Sequence, residues 1–220
     1  MKVIDYIVGN AGQIMNYTVQ HFILTGIAIF FAVILWTSVG VIIRGKESLA
    51  NGVLAVGSMI MCIPSIALYG LLITLPMFGL GRSTAVFALV LYSMLPIVRN
   101  VYTGLKNVDN SIKEAARGVG MTDRQILFQI EIPMAMPTIL AGVRVTLVMM
   151  IGIATLATYI GERNLGRLLH QGIARSRPDM IIVGAIMVTL IAIVIDGLFE
   201  IIKKKVVPRG LSQYLEGDHS

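Results

Sequence analysis

Charged residues are scarce in this chain of 220 residues. Asp, Glu, Lys and Arg make up only 14% of it, against about 25% in an ordinary water-soluble domain. Hydrophobic residues reach 56% and the mean hydropathy is +0.82. A single protein core cannot hide so many apolar side chains, so the composition excludes a soluble domain and predicts a membrane protein.

Residues that form disulfides or bind metals are also few. Cys62 is the single cysteine and can form no intrachain disulfide. The three histidines, His21, His170 and His219, lie far apart and lack the spacing of a metal motif. We therefore predict no metal site. The net charge of +6 comes from lysines and arginines that flank apolar runs. This pattern is typical of contact with membrane lipid, so we predict no nucleic-acid partner.

Long uncharged runs are what the sequence has in abundance. A spanning helix needs about 20 mostly apolar residues. The run from Ser48 to Gly81 exceeds one straight crossing, and Pro64 predicts a kink within it. We predict an all-α membrane protein with five transmembrane helices, followed by a cytoplasmic tail at 206–220. The predicted spans are about 22–43, 50–74, 83–101, 137–160 and 180–202.

Basic residues between the spans predict the orientation in the cell membrane. With the 102–136 loop placed inside, more basic residues lie on the cytoplasmic side than outside, as the positive-inside rule expects. This arrangement puts the N-terminus outside and the C-terminus in the cytoplasm. Arg144 lies within the fourth span. We interpret it as an interfacial anchor or the partner of a carboxylate such as Asp196, with a role in a transport path as the alternative. Asp196 and Glu200, close to Lys203 and Lys204, predict ion pairs at a helix end.

A polar hairpin at 111–133, between the third and fourth spans, has helical periodicity. Ser111 and Glu114 have the spacing of a capping box, as do Thr122 and Gln125. Gly118 and Gly120 suit a helix end and a sharp turn, and Pro133 ends the second helix. The residues alone leave two readings open. The hairpin either packs on the membrane surface, with Glu114 as a cap, or it is seated in another protein.

The same hairpin resembles the EAA signature of permease subunits of ABC importers. The matching residues are Glu114, Ala115, Ala116, Gly120, Ile130, Ile132 and Pro133. Ile132 departs mildly from the more usual leucine. The resemblance covers about residues 20–205 and is greatest to the five-span permeases of osmoprotectant uptake, which carry glycine betaine, carnitine or choline.

The resemblance implies a type I ABC importer-like core with 1–205 as the permease domain. The hairpin is then the cytoplasmic coupling helix-turn-helix, and Glu114 pairs with a basic residue of an ATPase subunit. This chain has no GxxxxGK[ST] motif. We therefore expect no enzymatic activity and no cofactor here, with ATP and Mg bound by the partner ATPase. The other expected partners are a second permease subunit, identical or paralogous, and a solute-binding protein.

Two further sets of site residues follow from this hypothesis. Aromatic faces attract quaternary ammonium groups, so we predict pathway candidates around the second and third spans, with helix packing as the alternative role. Four arginines in one outer loop predict receptor docking, with attraction to lipid headgroups as the alternative. The pathway candidates are Ser65, Tyr69, Tyr92 and Met94, and the docking candidates are Arg163, Arg167, Arg175 and Arg177.

Other functions fit the sequence less well. An importer permease for another small solute, such as an amino acid, is the main alternative. A membrane enzyme would need a nucleophile with a base, or paired acids, within a span. An ion-coupled transporter usually has inverted repeats and intramembrane carboxylates. Asp196 and Glu200 lie near the end of the fifth span, and the sequence shows no nucleophile with a base, no acid in the middle of a span and no repeat.

Overall fold

The computed structural model describes residues 2–206, and every regular element among them is helical. The predicted cytoplasmic tail therefore lies almost entirely outside the described residues. The first four helices are α1 (Lys2–Gly9), α2 (Ala11–Ile43), α3 (Glu47–Cys62) and α4 (Ser65–Ile73). Next come α5 (Arg82–Tyr92), α6 (Met94–Lys106), α7 (Asn110–Gly118) and α8 (Asp123–Ile126). A π-helical segment (Leu127–Glu131) leads into α9 (Ile132–Ala154), and a 3-10 segment (Thr155–Ile160) precedes α10 (Gly166–Ala174) and α11 (Pro178–Val206).

Four continuous helical stretches are long and apolar enough to cross a membrane, and the bent pair α3–α4 makes a possible fifth. Each predicted span falls on one of these five stretches. The helices extend beyond the predicted limits: α2 begins at Ala11 rather than near 22, and the third stretch runs to Lys106 rather than 101. Polar residues at helix ends carry no hydropathy signal, so the sequence marks the apolar centre of each helix and not its ends.

The second predicted span is bent far more sharply than a kink. Helices α3 and α4 meet at an angle of 98°. Ile63 is extended, as expected for a residue before proline, and Pro64 has no N–H with which to continue α3. The hydroxyl of Tyr92 donates a hydrogen bond to the Ile63 carbonyl, 2.6 Å away, and so stabilises the break.

Two larger apolar clusters, and a third of five buried residues that joins α2, α3 and α6, hold the bundle together. The larger of the two joins α2, α4, α5, α6 and α9, and the smaller joins α1, α10 and α11 with the beginning of α2. Large apolar side chains remain exposed along α2 and α11, among them Phe30, Phe31, Ile186 and Ile193. Exposed apolar surface of this extent is typical of helices that face lipid.

Candidate functional site

The hairpin forms at one end of the bundle, and α7 is its first helix. The helix begins earlier than the sequence indicated. Asp109 is the N-cap, and its carboxylate accepts a 2.8 Å hydrogen bond from the backbone N–H of Ser111. This bond lowers the pKa of Asp109. The prediction that Ser111 and Glu114 form the capping box is therefore wrong, because Asp109 already caps the helix. Glu114 is exposed.

A tight turn at Gly120 separates α7 from α8. The φ angle of Gly120 is +86°, a left-handed conformation that favours glycine. The N–H of Gly120 bonds the Arg117 carbonyl, and the N–H of Met121 bonds the Ala116 carbonyl. These two bonds form a Schellman motif, which ends a helix by satisfying its last carbonyls. The turn presents Val119 with 80% of its surface exposed.

The second predicted capping box is confirmed. The hydroxyl of Thr122 accepts from the backbone N–H of Gln125, and the Gln125 side chain accepts from the backbone N–H of Thr122. These bonds fix the start of α8 directly after the turn. Of the remaining signature residues, Ala115 is exposed, Ala116 is buried, and Ile130, Ile132 and Pro133 are half-buried.

A π-helical turn joins the hairpin to α9. The N–H of Ile132 bonds the carbonyl of Leu127, five residues back. Pro133 has no N–H for an α-helical bond to the Gln129 carbonyl. The prediction that Pro133 ends the second helix is wrong. The chain continues without interruption into α9, with Pro133 in its first turn.

Glu131, at the end of the π-helical segment, is a site residue that sequence reasoning missed. Its carboxylate accepts a 2.9 Å hydrogen bond from Nε of Arg44. Nζ of Lys113 lies 3.9 Å from its other oxygen. All three residues line a polar cleft of about 810 Å³, which Glu114 also borders. A lone acid between two isoleucines gave no sequence signal, because its hydrogen-bond partner Arg44 is 87 residues away in the chain.

A second polar cluster lies at the opposite end of α2. Arg82 donates hydrogen bonds to Glu162, at 2.7 Å, and to Gln20, at 2.6 Å. Gln20 and Arg44 are about 24 helical residues apart, which corresponds to about 36 Å along α2. The two clusters therefore lie near opposite ends of the bundle. Glu162 is buried and Arg82 half-buried, so this cluster ties together the ends of α2, α5 and the 3-10 segment.

The four loop arginines lie at this second end but do not form one patch of equivalent charges. Arg163 is exposed and borders a pocket shared with Arg82 and Glu162. Arg177 forms an ion pair with Asp179, and its guanidinium carbon lies 5.4 Å from the centroid of the Tyr6 ring. Arg175 is exposed, whereas Arg167 is half-buried in α10.

Two of the four pathway candidates, Ser65 and Tyr92, lie at the α3–α4 break. Tyr69 and Tyr92 belong to the larger apolar cluster, whereas Met94 packs in a different cluster with Ile43 and Val98. Ser65 is half-buried at the first position of α4. The hydroxyl of Tyr69 is buried and has no hydrogen-bond partner among the described residues.

Arg144 forms the predicted ion pair with Asp196. Its guanidinium also donates a 2.9 Å hydrogen bond to Glu200. Asp196 and Glu200 of α11 thus both bind a residue of α9. The sequence predicted that Glu200 forms an ion pair at the end of its own helix, and the contact of Glu200 with Arg144 was not predicted.

Residues 37–208 match the family described as the binding-protein-dependent transport system inner membrane component. The chain belongs to this family of membrane transport components, and it is a multi-pass membrane protein.

Individual relatives match over nearly their whole length. The chain is 43% identical to the osmoprotectant import permease protein OsmW of Salmonella typhimurium, covering 96% of this chain and all of that protein. It is 34% identical to the choline transport system permease protein OpuBB of Bacillus subtilis, covering 97% and 98%. It is 35% identical to the glycine betaine/carnitine/choline transport system permease protein OpuCB of the same organism, covering 96% of each.

The fold also matches solved structures. A chain of the MetNI methionine ABC transporter in an inward-facing conformation superimposes with a TM-score of 0.81, covering 91% of this chain and 99% of that chain, at 19% sequence identity. At this identity the likeness concerns the fold alone. The predicted all-α fold of the type I ABC importer core is confirmed.

Proposed function

We propose that this chain is the transmembrane subunit of an ATP-driven importer and forms the path for a compatible solute. The solute class is a quaternary amine such as glycine betaine, carnitine or choline, delivered by an extracytoplasmic binding protein. The observation that carries the proposal is near full-length similarity to permeases named for osmoprotectants, choline and carnitine. ATP and Mg bind to separate ATPase subunits, and a second permease subunit, identical or paralogous, completes the path.

The hairpin is the part of the chain that the ATPase holds in this proposal. Val119 and Ala115 are exposed at the turn and on α7, and Glu114 is exposed beside them. This surface suits a cleft in a partner, with Val119 as an apolar contact and Glu114 as an ion-pair partner. Because ATPase subunits act in the cytoplasm, the hairpin is cytoplasmic and the N-terminus lies outside.

In our proposal, Tyr69 lies on the path and is covered in this conformation. Tyr69 is 1% exposed, and an unpaired buried hydroxyl is unfavourable. In our proposal, opening of the path exposes Tyr69, whose ring then meets the ammonium group of the solute. Tyr69→Phe keeps the ring and should alter the KM for uptake by at most a fewfold. Tyr69→Leu removes the ring and should raise KM strongly, whereas an unchanged KM would remove Tyr69 from the path.

Reconstitution into proteoliposomes tests the proposed function. The chain is assembled with its ATPase and binding protein, and uptake of labelled glycine betaine, carnitine, choline and methionine is measured with and without ATP. We expect ATP-dependent uptake of at least one quaternary amine and none of methionine. Uptake of methionine alone would show that the solute is not a quaternary amine, and uptake without ATP would contradict the ATP-driven mechanism.

A matched pair of variants tests the coupling role of Glu114. Glu114→Gln should lower solute uptake and weaken assembly with the ATPase. Glu47→Gln makes the same chemical change at an exposed acid on α3, where it should have no effect. Equal uptake by the two variants would contradict the assignment of Glu114.

A further inference from the structure

Three parts of the chain meet at the carboxylate of Glu131. Arg44 directly follows α2, Lys113 belongs to α7, and Glu131 directly precedes α9. The cations approach different oxygens of the carboxylate: Arg44 binds Oε2 and Lys113 faces Oε1. One acid therefore connects the first helix of the hairpin to the ends of two membrane helices.

Solvent is largely excluded from this cluster. The side chains of Glu131 and Lys113 are 12% and 15% exposed, and that of Arg44 is 30% exposed. The ion pair of Glu47 with Lys106 near the same end of the bundle has side chains that are 74% and 54% exposed. Exposed ion pairs contribute little because water and salt screen them, whereas partly buried pairs are screened much less.

Apolar packing between α7 and the bundle is limited. Ala116 is the single buried residue of this helix, and a methyl group offers little contact area. Among the described residues, the pairing of Lys113 with Glu131 is the ion pair that joins α7 to the membrane helices. A displacement of α7 must either break this contact or carry Glu131 with it.

The π-helical turn fixes the direction of Glu131. An extra residue within a helical turn rotates the side chains on one side of it by about 100° relative to an uninterrupted α-helix. The segment Leu127–Glu131 makes this adjustment directly before α9, while Ile126 and Leu127 remain buried. Such π-turns are frequent at functional sites.

We infer that Glu131 is a positioning residue that transmits movement of the hairpin to α2 and α9 through Lys113 and Arg44. This inference rests on the proposed function. Glu131→Gln preserves the shape of the side chain and removes its charge, so the hairpin should still bind the ATPase but move the membrane helices less effectively. Energetic coupling between protein sites usually corresponds to about 5- to 150-fold effects. We expect at least a fivefold lower ratio of solute imported to ATP hydrolysed.

The ratio is measured in proteoliposomes for the wild type and three variants. Glu131→Gln breaks the junction, Lys113→Gln releases α7 alone, and Glu47→Gln is the matched control at an exposed ion pair. A purely structural defect would lower the amount of assembled complex, so uptake and hydrolysis would fall together and leave the ratio unchanged.

A lower ratio for Glu131→Gln and Lys113→Gln, with a normal ratio for Glu47→Gln, supports the inference. A normal ratio in both junction variants overturns it. If Glu131→Gln does not assemble, Lys113→Gln decides the question, because it leaves the bond of Glu131 with Arg44 in place. Absence of ATP-dependent uptake in the wild type would instead refute the proposed function itself.

Discussion

The guanidinium of Arg144 on α9 holds the carboxylate of Asp196 on α11 by two hydrogen bonds, of 2.6 Å and 2.7 Å. Charges within membrane helices are unfavourable unless they are paired. This bidentate contact therefore allows three ionised groups, with Glu200 as the third, to remain between two apolar helices.

Removal of Arg144 should destabilise the protein more than removal of the pair. Arg144→Met leaves Asp196 and Glu200 without their common cation, so the melting temperature in detergent should fall. Adding Asp196→Asn should recover part of the loss, since one uncompensated charge is removed. A double variant less stable than Arg144→Met would contradict the pairing. Uptake by a stable double variant would show whether Arg144 also has a role in the path.

Substitution of Gly120 should act through the backbone. An added Cβ would meet no atom within 4 Å, but the φ angle of +86° is unfavourable for other residues, by about 1–2 kcal/mol. Gly120→Val should disturb the turn and reduce both ATPase binding and uptake, and Gly120→Asn should do so less. Gly118→Ala, in a helical conformation with free space, is the control and should be neutral. Equal effects at the two positions would show that conformation is not the cause.

Two glycines of α9 should respond oppositely to alanine. A Cβ at Gly142 would lie 2.5 Å from Cβ of Asn100 on α6, whereas one at Gly152 would meet nothing within 4 Å. Both changes gain helix propensity, by about 1 kcal/mol. Overpacking costs about 1–3 kcal/mol, so Gly142→Ala should have a net cost of up to about 2 kcal/mol after this gain. Thermal unfolding should therefore show a loss for Gly142→Ala and no loss for Gly152→Ala; similar values would contradict the close approach of α6 and α9.

Reversal of the exposed loop charges tests receptor docking. Arg163→Glu and Arg175→Glu should weaken the stimulation of ATP hydrolysis by the binding protein, while basal hydrolysis stays unchanged. Arg177 is a poorer test because it forms an ion pair with Asp179. Normal stimulation in both variants would remove the docking hypothesis. The same assay in neutral and anionic lipid would then reveal a role in headgroup contact.

The sequence predicted those features that depend on neighbouring residues. Uncharged runs placed the membrane helices, and the spacing of Thr122 and Gln125 predicted their capping box. The prediction from sequence misplaced the start of α7. Asp109 and Ser111 are both good cap residues two positions apart, and spacing alone does not choose between them.

Features that depend on distant residues were not predictable. Glu131 lies 87 residues from Arg44, and Arg82 lies 80 residues from Glu162. Only the packing of the helices brings these residues together. Arg144 with Asp196 was the exception, because a charge inside an apolar span requires a partner and few candidates exist. The break at Pro64 was predicted in place but not in size, since the 98° angle depends on contacts such as that of Tyr92 with Ile63.

Accessibility of Val119 tests the central claim most directly. Cys62 is replaced by serine, and a single cysteine is introduced as Val119→Cys at the turn or as Ser48→Cys, an exposed control on α3. Labelling with a membrane-impermeant maleimide is measured in inside-out vesicles, with and without the ATPase subunits. The account predicts that Val119→Cys reacts from the cytoplasmic side and that the ATPase protects it, while Ser48→Cys remains reactive. Equal labelling with and without the ATPase, or labelling only from the outside, would contradict the account.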